Sequence, residues 1–367
     1  MSEYDGHQYV GIDLHRRRSV IVRQTAEGEQ LSTVRILNDP VALGLEIEKA
    51  GSRPDVVLEA TYGWYWAVDA LRAAGAEVHL AHPLGVKGFA YRRVKNDVRD
   101  AADLADLLRM GRLPESWIAP PDVRELRELV RYRAKLVALR SGLKAQVHAV
   151  LAKAGVLIAV SDLFGFDGRS RLEQTPLPGA YAQRVTSLLH LIDILDAEVA
   201  IFDQRIAGRL RGHPGCGAIL WLPGVGPVLA AVLVAEIGDV HRFASAEKLC
   251  SWAGLTPRHY ESDTLVRRGH VTKQGSRLVR WAAVEAIQRK ATPKITGDRA
   301  RIEARRGKNM PRSPRPANCS PSSTTACATG TSARWPAPWP SRRDEQPGRG
   351  RREAGQLSDP HTARSRF

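Results

Sequence analysis

The segment YVGIDLH at residues 9–15 decides the fold of the first third of this chain. Apolar residues alternate there with Gly11 and Asp13, which is the two-residue period of a β-strand. Two more strand-like segments, RSVIVRQT and QLSTVRIL, follow it directly. Together the three segments predict a β-meander over residues 9–37. A carboxylate in the middle of the first strand is costly unless it binds something.

Strands and helices alternate after this meander. Strands are predicted at VVLEATY (56–62) and EVHLAHP (77–83), and helices near 40–50, over 64–74 and over 97–110. A meander followed by strand–helix alternation indicates a mixed sheet covered by helices. We therefore expect an α/β domain over residues 8–115.

Two long amphipathic segments come next, at 123–153 and 183–211, with apolar residues at three- and four-residue steps. A Gly-, Pro- and Asp-rich break separates them at 155–180. Two matched helices around a break predict an antiparallel coiled-coil arm over residues 120–212. A helical hairpin packed on a core fits the same pattern equally well.

The rest of the chain divides into an apolar segment and an unusual tail. LPGVGPVLAAVLVAEIG is a Gly-rich turn that opens an apolar helix, and helical sequence is expected to run on to about Lys290. This predicts a mainly α-helical domain over residues 215–308. Residues 309–367 contain nine Pro, ten Arg and a single Leu, with no Ile or Val. Such a stretch cannot bury enough apolar surface to offset chain entropy, so we predict disorder.

The boundary of this tail suggests a defect in the gene. Helical periodicity is lost abruptly after Lys308-Asn309. We hypothesise a frameshift near codon 309, with a natural disordered tail as the alternative. Translating the other two frames from that codon decides between them.

Charge and composition narrow the choice of partners. The chain has 55 Lys+Arg against 39 Asp+Glu, a formal net charge of +16. Such a balance favours binding to polyanions such as DNA, although a GC-rich genome produces the same arginine bias. The sequence lacks an apolar run of ~20 residues and a signal-peptide pattern, so we predict a cytoplasmic protein without membrane contact. Its four cysteines form no CxxC pair and support neither a zinc knuckle nor a disulfide framework.

Four carboxylates are candidates for a metal site. Asp13 lies in the first strand, Glu59 closes an otherwise apolar strand, and Asp97 and Asp100 lie on one face at a helix start. Carboxylates at neighbouring strand ends, facing such a pair, form an oxygen-rich pocket suited to Mg²⁺. Two ions in such a pocket can activate an attacking oxygen and stabilise a leaving one at phosphorus. Taken singly, each acid has an ordinary alternative: Asp97 as a helix cap, and Asp100 or Asp103 as a solvent-facing charge.

The segments YVGIDLH, VLEATYGWYWAVDAL and HPLGVKGFAYRRVKNDVRDAADLADLL resemble the N-terminal domain of the DEDD transposases of bacterial insertion sequences. LPGVGPVLAAVLVAEIGDVHRFASAEKLCSWAGLTPRHYESDTLVRRGHVTKQGSRLVRWAAVEA is similar to the C-terminal transposase domain of that family. The resemblance covers roughly residues 8–308. It implies an RNase H-like (RuvC-like) fold for the first domain and cleavage and rejoining of DNA as the activity. It also implies a Mg²⁺-binding catalytic tetrad formed by Asp13, Glu59, Asp97 and Asp100.

The resemblance further implies a serine that attacks DNA and forms a covalent phosphoserine link. By its position in HYESDT this is Ser262, followed by Asp263 where the family usually has Gly. Ser276, in TKQGSR, is the alternative nucleophile. A hydroxyl needs a base or a metal to become nucleophilic, and His259 is the nearest histidine in sequence. The family is thought to join its acidic and serine domains from different subunits, which implies a homo-oligomer, either a dimer or a tetramer.

Basic and glycine-rich positions are candidates for binding nucleic acid. The turn PGVGPVLAA, with Gly224 and Gly226, resembles a helix-hairpin-helix turn whose backbone N–H groups hold a phosphate. The other candidates are basic side chains near the acids or near the serine, each of which could instead be a solvated helix face: Arg92, Arg93, Lys95, Arg99, Arg267, Arg268, Lys273, Arg277 and Arg280. The resemblance implies donor and target DNA as partners, with a structured noncoding guide RNA.

These observations predict a Mg²⁺-dependent transposase acting on DNA in the cytoplasm, in association with the nucleoid. Two alternatives stay open. One is a metal-dependent junction nuclease that hydrolyses DNA with the four acids alone, and the other is an inactive nucleic-acid-binding remnant of a decayed element. A covalent protein–DNA intermediate separates the transposase from the nuclease, and salt-sensitive binding without cleavage identifies the remnant.

Overall fold

The structure, a computed structural model, describes residues 4–89, 96–289 and 293–306. The chain divides into two compact units that part between Pro120 and Pro121. The tail predicted to be disordered lies outside the described residues. So do three of the basic residues predicted to bind nucleic acid: Arg92, Arg93 and Lys95.

A five-stranded sheet forms the centre of the first unit. Its strands are β1 (Tyr9–Leu14), β2 (Arg18–Gln24), β3 (Gln30–Leu37), β4 (Asp55–Glu59) and β5 (Glu77–Ala81). They lie in the order β3-β2-β1-β4-β5, with β1 to β3 forming an antiparallel meander and β1, β4 and β5 running parallel. The sheet therefore confirms the mixed α/β arrangement expected for this part of the chain, and it is compatible with an RNase H-like domain.

Helices cover both faces of this sheet. They are α1 (Pro40–Glu48), α2 (Trp64–Ala73), α3 (Pro83–Val86) and α4 (Asp97–Arg109). Helices α1 and α2 bury Val10, Ile12 and Leu58 on one face. On the other face, Leu104 of α4 packs against Val57. Because successive side chains of a strand point to opposite faces, the odd-numbered residues of β1 face α4.

Two long helices dominate the start of the second unit, α5 (Pro121–Lys153) and α7 (Gly179–Leu210), with the short helix α6 (Phe166–Gln174) between them. Arg133 binds Asp203 with an Nε–Oδ1 distance of 2.8 Å, and Arg140 pairs with Asp196. These pairs show that the long helices run antiparallel. Helix α6 lies inside the predicted break, where a Gly- and Pro-rich composition concealed it.

The end of the second unit combines helices with a β-hairpin. The helices are α8 (Pro214–Leu220), α9 (Pro227–Ile237), α10 (Ala246–Trp252), α11 (Arg277–Arg289) and α12 (Pro293–Arg306). Strands β6 (Pro257–Ser262) and β7 (Leu265–Val271) pair antiparallel. The expectation of helical sequence up to Lys290 was therefore wrong over 257–271. That stretch lacks the apolar three- and four-residue steps of a helix and instead surrounds a two-residue turn.

Helix α9 is apolar except for Glu236 and forms the centre of the second core, where it packs against α5, α8 and α11. An apolar cavity of about 760 Å³ remains between these helices and α7. Leu220 and Trp281 line it and are 42% and 41% exposed. Within the described residues, the second core is thus open on this side. None of the described helices is both long and apolar enough to cross a membrane.

Candidate metal centre and serine hairpin

Asp13 and Glu59 lie at the same end of two neighbouring parallel strands. Strands β1 and β4 pair in register up to Ile12 and Leu58, so the next residue of each strand is an acid. By the alternation of side chains, both acids lie on the sheet face that α4 covers. The Asp13 side chain is 20% exposed and the Glu59 residue is half-buried.

Helix α4 brings the other two acids to this end of the sheet. Asn96 caps the helix, because its side-chain Oδ1 accepts a hydrogen bond from the backbone N–H of Val98 at 3.0 Å. Asp97 and Asp100 therefore lie in the first turn, where the helix dipole favours negative charge. The alternative that Asp97 is the helix cap was wrong, since Asn96 has that role.

His15 lies between the acid of the sheet and the acid of the helix. Its Nε2 atom is 3.1 Å from Oδ2 of Asp13 and 3.6 Å from Oδ2 of Asp97. One potential ligand atom from each of these three residues lies within 4.8 Å of the others, close enough to hold one metal ion. Glu59 lies beside Asp13 on the next strand, and Asp100 lies further along the first turn of α4.

Sequence reasoning missed His15. The signal that could have found it is its spacing, because two residues after Asp13 an extended chain returns a side chain to the same face. Imidazole nitrogen is a ligand for divalent metals such as Zn²⁺ and Fe²⁺, whereas Mg²⁺ prefers oxygen. The donor set thus fits a divalent metal ion.

Gly11 permits the close approach of α4 to the sheet. A Cβ atom at Gly11 would lie 1.8 Å from the carbonyl oxygen of Ala101 and 2.9 Å from the backbone nitrogen of Ala105. Backbone atoms of a helix cannot yield as a flexible side chain would. A side chain at Gly11 must therefore move the first turns of α4, which carry Asp97.

Ser262 is the last residue of β6 and lies at the tip of the hairpin. It pairs with Leu265 across a turn formed by Asp263 and Thr264. The φ angle of Asp263 is +52°, in the left-handed region that Gly enters freely and that Asp tolerates better than most residues. The turn therefore accommodates both the Ser-Gly of the resembling family and the Ser-Asp of this chain. All four residues of the tip are exposed.

His259 does not face Ser262. The two residues are three apart on one strand, so their side chains lie on opposite faces of the hairpin. The Nε2 atom of His259 instead lies 3.9 Å from Oε2 of Glu261. His259 is therefore not placed to accept the proton of Ser262.

Ser276 is held in a buried network. Its hydroxyl donates to Oε2 of Glu236 at 3.0 Å and accepts from the backbone N–H of Val279 in the first turn of α11. Glu236, on α9, is only 3% exposed and accepts two hydrogen bonds from Arg131 of α5, at 2.7 and 3.1 Å. Burial alone would raise the pKa of Glu236, but the hydrogen bonds from Arg131 and Ser276 and the positive charges of Arg131 and Arg127 lower it overall.

The described basic residues differ in what they contact. Arg99 is exposed on α4, and Lys273 and Arg277 are exposed just before and at the start of α11. Arg280 donates to the carbonyl oxygens of Ala253 and Gly275 at 2.9 and 3.0 Å. Burial lowers the pKa of Arg280, and the charge of Arg277 lowers it further. Arg280 therefore supports the local fold, which sequence reasoning did not foresee.

The remaining candidates lie on the hairpin and in the Gly-rich turn. Arg267 and Arg268 are consecutive in β7, so their side chains lie on opposite hairpin faces. Gly224 has a φ of +81° in the turn between α8 and α9, and Gly226 is the N-cap of α9. In the structure, the predicted phosphate-binding turn joins the short helix α8 to α9.

Comparisons with known proteins match both units. A model of DEDD transposases of the IS110 type, described as "Transposase", matches residues 10–155. A model described as "Transposase IS116/IS110/IS902 family" matches residues 210–301. Together the two matches cover more than half of the chain.

Curated relatives agree with these matches. A probable family 20 transposase of Pseudomonas aeruginosa is 26% identical over 61% of this chain and 67% of its own length. The insertion element IS116 uncharacterized 44.8 kDa protein of Streptomyces clavuligerus is 28% identical over 77% of this chain and 84% of its own length. The transposase for insertion sequence element IS1111A of Coxiella burnetii is 25% identical over 69% and 72%, respectively.

Proposed function

Because the chain belongs to the IS116/IS110/IS902 family of insertion-sequence transposases, we propose that it cleaves and rejoins DNA with an acidic metal site and a serine nucleophile. The observation that carries the proposal is the convergence of Asp13, His15 and Asp97 from the end of a strand and the start of a helix. The His15 imidazole lies between the two carboxylates, so nitrogen and oxygen donors for a divalent ion meet at one end of the sheet.

The metal site would be held by Asp13 and Asp97, with Glu59 and Asp100 beside them. Carboxylate oxygens suit Mg²⁺, which is the ion we propose. Bound Mg²⁺ would supply charge stabilisation at the attacking and leaving oxygens of a phosphodiester. His15 would orient the two nearest carboxylates through their oxygens, at 3.1 and 3.6 Å.

Ser262 would supply the attacking oxygen. Its exposure at the hairpin tip supports this role, since a strand of DNA can reach it without opening the protein. His259 faces away and would not act as its base. Ser276 suits the role less well, because its hydroxyl already joins Glu236 to the start of α11.

Basic side chains would hold the nucleic acid. The net charge of +16 supports strong, salt-dependent binding to phosphates. We assign this contact to Arg99, Arg267, Arg268, Lys273 and Arg277, together with the turn at Gly224 and Gly226. We further propose donor and target DNA as substrates, a structured noncoding RNA as guide, and action as a homo-oligomer on the nucleoid in the cytoplasm.

An adduct assay tests the proposal. The purified chain is mixed with Mg²⁺, the noncoding RNA encoded beside its gene and matching donor and target DNA, and then separated on a denaturing gel. We expect a covalent protein–DNA band that is lost in Ser262→Ala and in Asp13→Asn. Two matched variants should keep it. Thr264→Ala removes the neighbouring hydroxyl of the turn, and Glu48→Gln removes an exposed charge of α1 on the other side of the sheet.

The other outcomes identify the alternatives. A band that survives Ser262→Ala would move the nucleophile elsewhere, with Ser276 tested next. Cleavage without any band would indicate a metal-dependent junction nuclease. Salt-sensitive DNA binding without cleavage would indicate an inactive remnant.

A further inference from the structure

The hairpin formed by β6 and β7 presents two different faces. Tyr260 lies opposite Arg267, and Ser262 lies opposite Leu265. Because side chains alternate along a strand and cross-strand partners share a face, these four side chains lie together. The opposite face carries a second set: His259, Glu261, Val266 and Arg268. Ser262 therefore shares its face with one aromatic ring and one guanidinium group.

The ring and the guanidinium group are both open to a ligand. Tyr260 is 60% exposed, and Arg267 is exposed as well. Among residues 4–89, 96–289 and 293–306, neither side chain has a hydrogen bond, an ion pair or a ring contact. On the opposite face, by contrast, His259 and Glu261 lie against each other. A large aromatic side chain left exposed beside an unneutralised cation is suited to a ligand with a flat ring and a negative charge.

We propose that Tyr260 and Arg267 hold one unpaired nucleotide of the DNA strand that Ser262 attacks. Tyr260 would stack on the base, which aromatic side chains do for every base because each has a π-face. Arg267 would bind the phosphate, which its planar fork can do through two parallel hydrogen bonds. This inference rests on the proposed function, since it takes Ser262 as the nucleophile.

Strand geometry sets the spacing of Tyr260, Arg267 and Ser262 on the hairpin. Cross-strand partners have Cβ atoms about 4.5–5.5 Å apart, which sets the separation of Tyr260 from Arg267. Residues two apart on a strand are separated by about 7 Å, which sets that of Tyr260 from Ser262. In a duplex each base is covered by its neighbours, so Tyr260 can stack only on a base that has left the helix. The site would therefore select a strand that is unpaired beside the bond to be cleaved.

Binding to a short oligodeoxynucleotide that carries the fluorescent base 2-aminopurine tests this site. The full chain with Ser262→Ala is used without metal, so that no covalent chemistry takes part. In this background, Tyr260→Leu should weaken binding about 5- to 150-fold and abolish the stacking-dependent quenching, whereas Tyr260→Phe should keep both. Arg267→Ala should weaken binding more than Arg268→Ala, which removes the same charge from the opposite face. The single strand should bind more tightly than its duplex.

Several results would overturn the proposal. One is an affinity for the oligonucleotide that Tyr260→Leu leaves unchanged, and another is an equal loss of affinity in Arg267→Ala and Arg268→Ala. Equal affinity for the single strand and its duplex, or tighter binding of an RNA of the same sequence, would also exclude the site. The assay also separates this inference from the proposed function. Normal binding by Tyr260→Leu, with an adduct at Ser262 in the native chain, removes the inference alone. Loss of stacking in Tyr260→Leu, with no adduct in the native chain, removes the serine nucleophile and leaves Tyr260 and Arg267 as a nucleotide-binding site without a link to cleavage.

Discussion

The carbonyl oxygen of Ala101 would lie 1.8 Å from a Cβ atom on Gly11, so helix α4 rests directly on the backbone of β1. Asp13 follows two residues after Gly11 on the strand, and Asp97 precedes Ala101 by about one turn of the helix. This contact therefore sets the separation of the two carboxylates that His15 joins.

Replacing Gly11 with Ala should displace α4, which carries Asp97, and so weaken the metal site. We expect a loss of about 1–3 kcal/mol in the free energy of unfolding from overpacking, together with weaker binding of divalent metal. Urea unfolding and Mn²⁺ titration followed by electron paramagnetic resonance measure the two effects. Gly44→Ala is the matched control, because the nearest atom to its Cβ would be the Ala74 methyl at 3.9 Å. Equal behaviour of the two variants would contradict this role of Gly11.

Divalent metal should stabilise the native chain. An ion that binds only the folded state adds about 2.7 kcal/mol at a concentration 100 times its dissociation constant. The midpoint of thermal unfolding should thus rise on addition of Mg²⁺ in the native chain and in Glu48→Gln. It should stay unchanged in Asp13→Asn and Asp97→Asn. A rise that persists in both Asp variants would show that the ion binds elsewhere.

The turn at Asp263 should accept Gly and reject β-branched residues. Asp263→Gly relieves a left-handed conformation, so the hairpin and adduct formation should be retained or improved. Asp263→Val should lower adduct formation, because a β-branched side chain is a strong outlier at this φ angle. The denaturing gel that detects the adduct measures both variants. Similar activity in the two would mean that this turn does not position Ser262.

Glu236 should make the second unit sensitive to acid. Its pKa is lowered in the folded state, so its contribution to stability is complete above the ordinary value of 4.5 and is lost as the pH falls below it. Glu236→Gln should cost about 1–3 kcal/mol at pH 7, because Arg131 loses its charged partner. The difference from the native chain should shrink below pH 4.5. Urea unfolding at a series of pH values checks this, and a constant difference would exclude Glu236 as the group responsible.

A helix encoded by a corrected reading frame should pack into the open apolar cavity that Trp281 lines. If another frame beyond codon 309 encodes an aliphatic helix, the restored chain should unfold at a higher temperature and shift the emission of Trp281 to the blue. Subtracting the spectrum of Trp281→Phe isolates that tryptophan. Truncation after Lys308 should leave both quantities as in the native chain. Absence of an aliphatic segment from both other frames would remove the frameshift hypothesis.

Periodicity alone was sufficient for the elements that pack on a core. The meander, the α/β alternation and helix α4 were predicted correctly, since burial on one face imposes a regular apolar pattern. The hairpin at 257–271 was missed because nothing buries it, so its sequence carries no apolar period.

The residues of the candidate metal site could not be predicted from hydrophobic periodicity alone. The acidic tetrad was assigned through the family resemblance, and Asp97 and Asp100 owe their position to the start of α4. His15 and Gly11 were missed because their roles arise only when α4 approaches β1. Likewise, the role of Ser276 depends on Glu236, forty residues earlier in the chain. The contacts of Gly11 with Ala101 and of Ser276 with Glu236 join residues far apart in sequence and leave no local signal, whereas the spacing of His15 from Asp13 did.

The exposure of the hairpin also affects how selectively the protein acts on matching DNA. Every residue from 258 to 270 is exposed, and a two-stranded ribbon without a core is at best marginally stable in water. If Ser262 is the nucleophile, as we propose, part of the binding free energy of a substrate strand would go into ordering the ribbon before the serine reacts. A poorly matched strand would make too few contacts to order the ribbon and would dissociate uncut. We expect the enzyme to turn over slowly for this reason and, in return, to spare unrelated DNA.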